Sequence, residues 1–211
     1  MVGGAFKLLI ATSNEGKARE VSRALSGLPL QIRSLKDFKS LNPVDEPGKT
    51  YEENAIAKAM GYAAQTGLYA VAEDSGLEVA ALGGRPGFLS ARYGGRWLSD
   101  AERNQKLLTS LAHIHASNRA ARLVSIAVLA KPFGDSAIQG CVLAIEQGIC
   151  EGMIAFTPRG DHGFGYDSIF IPNGYNESFG ELPDSIKDQI SHRAQSMLQI
   201  RAFLKEFLRQ T

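Results

Sequence analysis

The segment FKLLIATSNEGKAREVSRALSGL (residues 6–28) decides how the rest of the chain is read. Residues 6–11 form an apolar run broken only by Lys7, the pattern of a buried strand. The polar turn Thr12-Ser13-Asn14-Glu15-Gly16-Lys17 follows. Ala18, Val21, Leu25 and Leu28 then recur at spacings of 3, 4 and 3, one face of a helix that Gly27 and Pro29 end. Strand, turn and helix in that order open an α/β domain.

The remaining pattern extends this frame. A short strand is expected at 31–35 and a loop at 36–50. A helix over 50–67 should start at Thr50, with Thr50 and Glu53 as a capping box and Ala55, Ile56, Ala59, Met60 and Ala63 as its apolar stripe. Residues 69–72 read as the end of a buried strand, delivered into an acidic turn, Glu73-Asp74-Ser75-Gly76. Residues 83–98 look irregular. Ser99 caps a helix over 100–112, with Leu107, Leu108 and Leu111 inward. Two β-like runs, 122–131 and 137–147, flank Pro132-Phe133-Gly134-Asp135 as a hairpin, and 149–156 suggests a further strand. A glycine-rich turn covers 160–167, a strand 168–171, and a polar stretch reaches Lys187. A last helix from Ser191 carries Met197, Ile200, Leu204 and Phe207 on one face. The fold class is α/β, or α+β with a mixed sheet, in a single domain over residues 1–211 that has room for two lobes.

Composition narrows the function. The chain is 44% hydrophobic and 21% charged, the balance of a globular protein with a sizeable core. Its net charge of +1 offers no general attraction to nucleic acid or to an anionic membrane. No run approaches the roughly 20 apolar residues of a membrane span, and the first apolar run is too short for a signal peptide. Cys141 and Cys150 are the only cysteines and make no CxxC or Cys/His cluster. A structural zinc site is not expected, and a reducing, cytoplasmic compartment is.

The chemistry lies in separated polar segments. Residues 11–18 approach the P-loop pattern GxxxxGK[ST] but carry Ala11 and Ala18 at its two ends, so this is not a Walker motif. Amides at a helix N-terminus, Ser13, Asn14 and Lys17 still suit a phosphate, although a plain turn with a surface lysine fits the same residues. Glu73 and Asp74 at a strand end need cations or donors if they are buried, and a metal ion held for phosphate chemistry would serve; solvated acids in a turn are the alternative. Gly163-Phe164-Gly165-Tyr166-Asp167 offers an aromatic ring in a glycine loop. Lys187, with Ser191-His192-Arg193, places cations at a helix start, where the dipole disfavours them. Donors for phosphate, acids for a divalent ion and a ring for a base together describe a nucleoside-triphosphate site.

In order along the chain, Thr12–Lys17, Thr50-Tyr51-Glu52-Glu53-Asn54-Ala55 with Lys58-Ala59, Asp74-Ser75-Gly76-Leu77, Leu82-Gly83-Gly84 with Pro86-Gly87, Ser90-Ala91-Arg92-Tyr93, Gly163–Asp167 and Ser191–Arg193 resemble the ITPase/Ham1 family of inosine and xanthosine triphosphate pyrophosphatases. The resemblance implies an elongated two-lobed mixed-sheet protomer with a nucleotide cleft between lobes, a homodimer, and Mg²⁺-dependent hydrolysis of ITP, dITP or XTP to the monophosphate and pyrophosphate. It implies that Thr12, Ser13, Asn14, Glu15, Gly16 and Lys17 bind the phosphates. Glu46 and Asp74 would hold the metal, with Asp74 also the proton acceptor and Lys17 assisting catalysis. Ser75, Phe164, Gly165, Tyr166, Asp167, Lys187, His192 and Arg193 would contact the substrate. Two positions depart from the family pattern: Glu73 precedes Asp74 where an aspartate is usual, and Pro47 follows Glu46 where a threonine is usual. A Maf-like pyrophosphatase and a non-catalytic nucleotide-binding regulator are the competing readings. The GFGYD and SHR segments oppose the first, and the presence of Lys17, Glu46 and Asp74 opposes the second.

Overall fold

The computed structural model describes residues 5–95, 97–132 and 141–210. The elements are β1 (Phe6–Ile10), α1 (Glu15–Ala24), β2 (Leu30–Ser34), α2 (Tyr51–Thr66), β3 (Tyr69–Val79), α3 (Asp100–Ser110), β4 (Ala120–Lys131), β5 (Cys141–Ile154), β6 (Phe170–Pro172), α4 (Asp184–Ile190) and α5 (His192–Gln210). The strands form one sheet in the order β2-β1-β3-β4-β5-β6. β1 is parallel to β2 and β3, while β5 and β6 are antiparallel, so the sheet is mixed, as expected. By contacts the chain divides into two compact units, one of residues 1–74, 125–148 and 193–211, the other of 75–124 and 149–192.

In the first unit, strand alternation sorts side chains onto two cores. Leu8 and Ile10 of β1, Val71 of β3, and Ala127 and Leu129 of β4 pack with Val21 and Leu25 of α1 and Met197, Ile200 and Leu204 of α5. The intervening residues, Leu9, Ala11, Ala70, Ala72, Ile126 and Val128, pack with Ala55, Ala59 and Ala63 of α2. That alanine stripe, at spacings of four, brings the α2 backbone close to the sheet. In the second unit, Leu77 and Val79 join Leu107, Leu108 and Leu111 of α3, and Phe170 stacks on Phe179 at 5.6 Å. Buried Arg119 donates to the carbonyls of Leu111, Ile154 and Ala155, tying the end of α3 to the end of β5.

Four expectations need correction. Residues 73–76 are not a turn: β3 runs through them to Val79. The buried charge that argued for a turn is neutralised in place, and Leu77 and Val79 carry the strand's burial onward. The further strand at 149–156 is the continuation of β5, which Gly148 does not interrupt. Gly152 permits close pairing there, because a Cβ would lie 2.2 Å from the Ile171 carbonyl oxygen. The polar stretch that reaches Lys187 gives way to α4, which starts at Asp184 and runs past Lys187 to Ile190. Finally, Thr50 accepts from the Glu53 N–H at 3.1 Å, but the Glu53 carboxylate accepts from the Lys49 N–H, not that of Thr50, so the box is half formed. β4 and β5 are sheet neighbours as a hairpin requires, whereas residues 133–140, including Phe133-Gly134-Asp135 of its turn, lie outside the described residues.

Candidate active site

Glu73 and Asp74 are adjacent in an extended strand, so they point to opposite faces of the sheet. Glu73 follows Val71 toward α1 and α5. There its Oε1 meets Lys17 Nζ at 2.7 Å and its Oε2 meets Arg193 Nε at 2.5 Å, while the Ser125 hydroxyl donates to Oε2 at 3.3 Å. Arg193 Nη1 donates to Glu20 of α1, and Ser125 and Ser196 share a 3.0 Å hydrogen bond. Burial alone would raise the Glu73 carboxyl, but the Arg193 and Lys17 charges beside it hold it well below the usual carboxylate range. Glu20, Glu73 and Arg193 are all under 10% exposed, so the group is a buried, fully paired cluster.

Asp74 follows Ala72 toward α2. Asn54 Nδ2 donates to its Oδ2 at 3.2 Å, and Lys58 Nζ donates to its Oδ1 at 3.3 Å and to Glu46 Oε2 at 2.8 Å. Asn54 and Lys58 stand four apart on α2, on one helical face. Asn54 Oδ1 accepts from the Gly48 N–H at 2.8 Å, which ties the Glu46-Pro47-Gly48 loop to the same residue that supports Asp74. A Cβ on Gly48 would sit 2.6 Å from that oxygen, so the tie needs glycine. Glu46 is thereby drawn to Asp74, while Asp45 is exposed. Burial raises the Asp74 carboxyl above its ordinary value, the Glu46 and Glu73 charges add to this, and Lys58 and Lys17 oppose it. Lys58 is raised: burial works against its charge, but Asp74 and Glu46 outweigh it.

The turn before α1 is ordered by its own side chains. Asn14 caps the helix, its Oδ1 accepting from the Lys17 N–H at 2.9 Å, and Thr12 Oγ1 accepts from the Asn14 N–H at 3.2 Å. Ser13 and Glu15 are exposed and Gly16 is buried; Glu15 pairs with Lys36, whose hydrogen bond lowers its carboxyl.

In the second unit, Phe164–Asp167 form a tight loop. Asp167 Oδ2 accepts from the Phe164 N–H at 2.7 Å and from Lys187 Nζ, and that ammonium lies 4.8 Å from the Phe164 ring centre. Gly165 N–H donates to Asp100 Oδ2, and the Gly165 carbonyl accepts from Asn104 Nδ2. Tyr166 is buried with its hydroxyl donating to the Ser90 carbonyl at 2.9 Å. A Cβ at Gly163 would be 2.1 Å from Asp167 Oδ2. Beside the loop is a cavity of about 490 Å³, lined among others by Asp100, Asn104, His162, Phe164 and Gly165. Ser75 is half-buried within β3, and His192 is buried at the first position of α5.

The structure thus gathers Lys17, Glu73 and Arg193 in one cluster, Glu46 and Asp74 in a second, and Phe164, Asp167 and Lys187 in a third. Glu20, Asn54 and Lys58 were not expected as site residues. Asn54 and Lys58 had a signal: they are the polar i, i+4 pair beside an alanine stripe.

A model of the Ham1 family matches residues 8–203. The chain belongs to the Ham1 family. It is 43% identical over 202 residues to the dITP/XTP pyrophosphatase of Syntrophobacter fumaroxidans, covering 96% of this chain and 83% of that protein. It is 42% identical to the dITP/XTP pyrophosphatase of Thermus thermophilus, covering 96% and 92%. The solved structure of a HAM1 protein from Coxiella burnetii is similar with a TM-score of 0.83 and 39% identity, over 95% of this chain and 99% of that one. The Staphylococcus aureus Ham1 protein is similar with a TM-score of 0.79 and 33% identity, over 95% and 99%.

Proposed function

We propose that this protein hydrolyses non-canonical purine nucleoside triphosphates, ITP, dITP and XTP, to the monophosphate and pyrophosphate. The observation that carries this reading is the division of labour at β3. Glu73 is locked between cations as a fixed anion, while Asp74 is held with a raised carboxyl beside Glu46 and the Lys58 ammonium that both acids share. A raised aspartate is a stronger proton acceptor than an ordinary one and so is suited to taking a proton from an attacking water. The names of the relatives above, dITP/XTP pyrophosphatases, support the substrate class.

The donor set fits magnesium. Glu46 and Asp74 turn hard carboxylate oxygens onto a single point, which Lys58 Nζ marks. Among the described residues no group of three or more His, Cys, Asp or Glu is placed to hold a metal. Two carboxylates suit an ion that keeps several waters and takes its other ligands from substrate phosphates. When bound there, the ion supplies charge neutralisation for the triphosphate. Lys58 and Lys17 supply positive charge for the phosphates from where they are paired, Lys17 at the capped start of α1, where N–H groups also favour an anion. Asp74 accepts the water's proton as that water attacks the α-phosphorus in line with departing pyrophosphate.

Phe164 offers a face for a purine, sequence-tolerant and worth on the order of 1–3 kcal/mol. Donors matched to the 6-carbonyl of hypoxanthine or xanthine would be left unpaired by adenine's amino group. Arg193 was expected among those donors. Its Nε, Nη1 and Nη2 all donate to Glu73 or Glu20, so we assign its effect to the placement of Glu73 and Lys17, and leave base discrimination to His192. The reading includes a homodimer, for which the 91% exposed Trp97 and 62% exposed Phe156 offer apolar surface, and a cytoplasmic location, with which the free thiols of Cys141 and Cys150 agree. No helix among the described residues is long and apolar enough to cross a membrane.

The deciding experiment is a panel of nucleoside triphosphates with and without Mg²⁺, scored separately for pyrophosphate and for orthophosphate. Pyrophosphate from ITP and XTP, much faster than from ATP, is expected. Orthophosphate release, or equal turnover of ATP, would overturn the assignment. Sedimentation of the purified protein checks the dimer, and a monomer at micromolar concentration would remove it.

A further inference from the structure

The segment around Phe164 is rich in glycine, and Asp167 closes it by accepting from the Phe164 N–H. Gly160, Gly163 and Gly165 all have positive φ, and glycine-rich backbone loses much freedom when it is ordered. Yet the Gly165 peptide is gripped from both sides by one helix. Its N–H donates to Asp100 Oδ2 at 2.7 Å, and its carbonyl accepts from Asn104 Nδ2 at 2.9 Å. Asp100 and Asn104 stand four apart in the first turns of α3, so a single face of the helix presents an acceptor and a donor at the spacing the peptide needs.

The helix that makes this grip is itself anchored. Ser99 and Glu102 form a complete capping box, and Leu107, Leu108 and Leu111 are buried in the core of the second unit. Asp100 Oδ1 and Asn104 Nδ2 make further hydrogen bonds. Asp100 Oδ1 accepts from Arg103 Nη1 at 2.6 Å, and the second hydrogen of Asn104 Nδ2 goes to Ser168 Oγ at 3.1 Å. Asn104 is 3% exposed. Asn104 Oδ1 is buried without a hydrogen-bond partner among the described residues, so it is the donor side of the amide, together with Asp100 Oδ2, that holds the loop.

We infer that Asp100 and Asn104 are positioning residues for recognition of the substrate's base, acting through the Gly165 peptide to set the orientation of the Phe164 ring. The inference rests on the proposed function, in which Phe164 meets the purine. The Asp100 bond is charge-assisted and so the stronger of the two, and the Asn104 bond fixes the peptide's other end. Together they remove rotational freedom from the residue next to the ring before any nucleotide arrives, the usual route by which preorganisation improves affinity.

The test compares Asn104→Asp, which turns an acceptor onto the Gly165 carbonyl, with Asp100→Ala and the conservative Asp100→Asn. Steady-state kinetics with ITP and inhibition by inorganic pyrophosphate, a base-free probe, are measured for each. Asn104→Asp and Asp100→Ala should raise KM for ITP about tenfold, the order expected from losing one stacking contact, with kcat and pyrophosphate inhibition within about twofold of the parent. Asp100→Asn, which keeps a neutral acceptor, should recover most of the loss. In a Phe164→Ala background, Asn104→Asp should add little, because residues acting through one contact are not additive. An unchanged KM, an equal weakening of pyrophosphate, or a full additional loss in the Phe164→Ala background would each overturn the inference. Asp100→Ala, at a half-exposed side chain, carries the test if Asn104→Asp does not fold. If the parent releases no pyrophosphate from ITP, it is the proposed function that fails, before any variant is compared.

Discussion

Two neighbouring carboxylates, Glu73 and Asp74, move in opposite directions because strand geometry gives them different company. Glu73 is held well below its ordinary value by Arg193 and Lys17 in spite of burial, and Asp74 is raised by burial and nearby acids in spite of Lys58. The linkage signs are therefore opposite. The lowered Glu73 contributes stability that is present above its unfolded pKa of about 4.3 and is lost as pH falls through its folded value. The raised Asp74 contributes below its unfolded pKa of about 3.9 and loses that contribution as pH rises through its folded value. Glu73→Gln should cost about 3–5 kcal/mol, since it strips a buried anion from Arg193 and Lys17, and should flatten the acid limb of a stability-against-pH curve measured by denaturant unfolding. A loss under 1 kcal/mol, roughly the worth of an exposed pair, would mean the cluster is solvated. Asp74→Asn should abolish pyrophosphate release while leaving the thermal midpoint at or above that of the parent, because it removes a strained charge from an enzyme site. A variant that unfolds more easily would show Asp74 to be a structural anchor.

At the scale of elements, close approach sets what each one tolerates. The stripe of Ala55, Ala59 and Ala63 lies fully against the sheet, with no more than 1% exposure at any of the three. Ala59→Leu should therefore overpack that interface and cost about 1–3 kcal/mol in chemical unfolding. Gly152→Ala would set a Cβ 2.2 Å from the Ile171 carbonyl, so the β5–β6 pairing must open. Hydrogen exchange at Gly152–Ile154 and Phe170–Pro172 should rise in that variant, and protection equal to the parent would show that the pairing can shift without breaking. The expected helices over 50–67 and 100–112 emerge within two residues of α2 and α3, because each carries a start signal, Thr50 or Ser99, and an apolar period. α4 had neither a stripe long enough to count nor a polar cap, since Pro183 precedes it without a side-chain bond.

For the whole molecule, each unit carries its own core, and β3, β4 and β5 contribute residues to both. The acid clusters belong to the first unit and the Phe164 loop to the second. Asp74→Asn, expected to be inactive but folded, is the reporter of ligand binding. ITP with Mg²⁺ at about 100 times its dissociation constant should stabilise it by about 2.7 kcal/mol, whereas ATP at the same concentration should do much less. Equal shifts for the two nucleotides would move discrimination from binding to the chemical step.

The sequence by itself determined the strand–turn–helix opening, the helices with caps and periods, and the mixed α/β class. These are local properties, set by periodicity, capping and turn residues within a few positions of each other. Tertiary structure decided the rest. Whether 73–76 was turn or strand depended on cations brought from α1 and α5, Lys17 and Arg193, which lie 56 and 120 residues from Glu73. Without them two buried acids are costly and a turn is the better reading; with them the strand continues, and its alternation alone puts Glu73 and Asp74 in different surroundings. The roles of Glu20, Asn54 and Lys58, and the grip of Asp100 and Asn104 on Gly165, are likewise pairings across long stretches of chain, which no local pattern encodes.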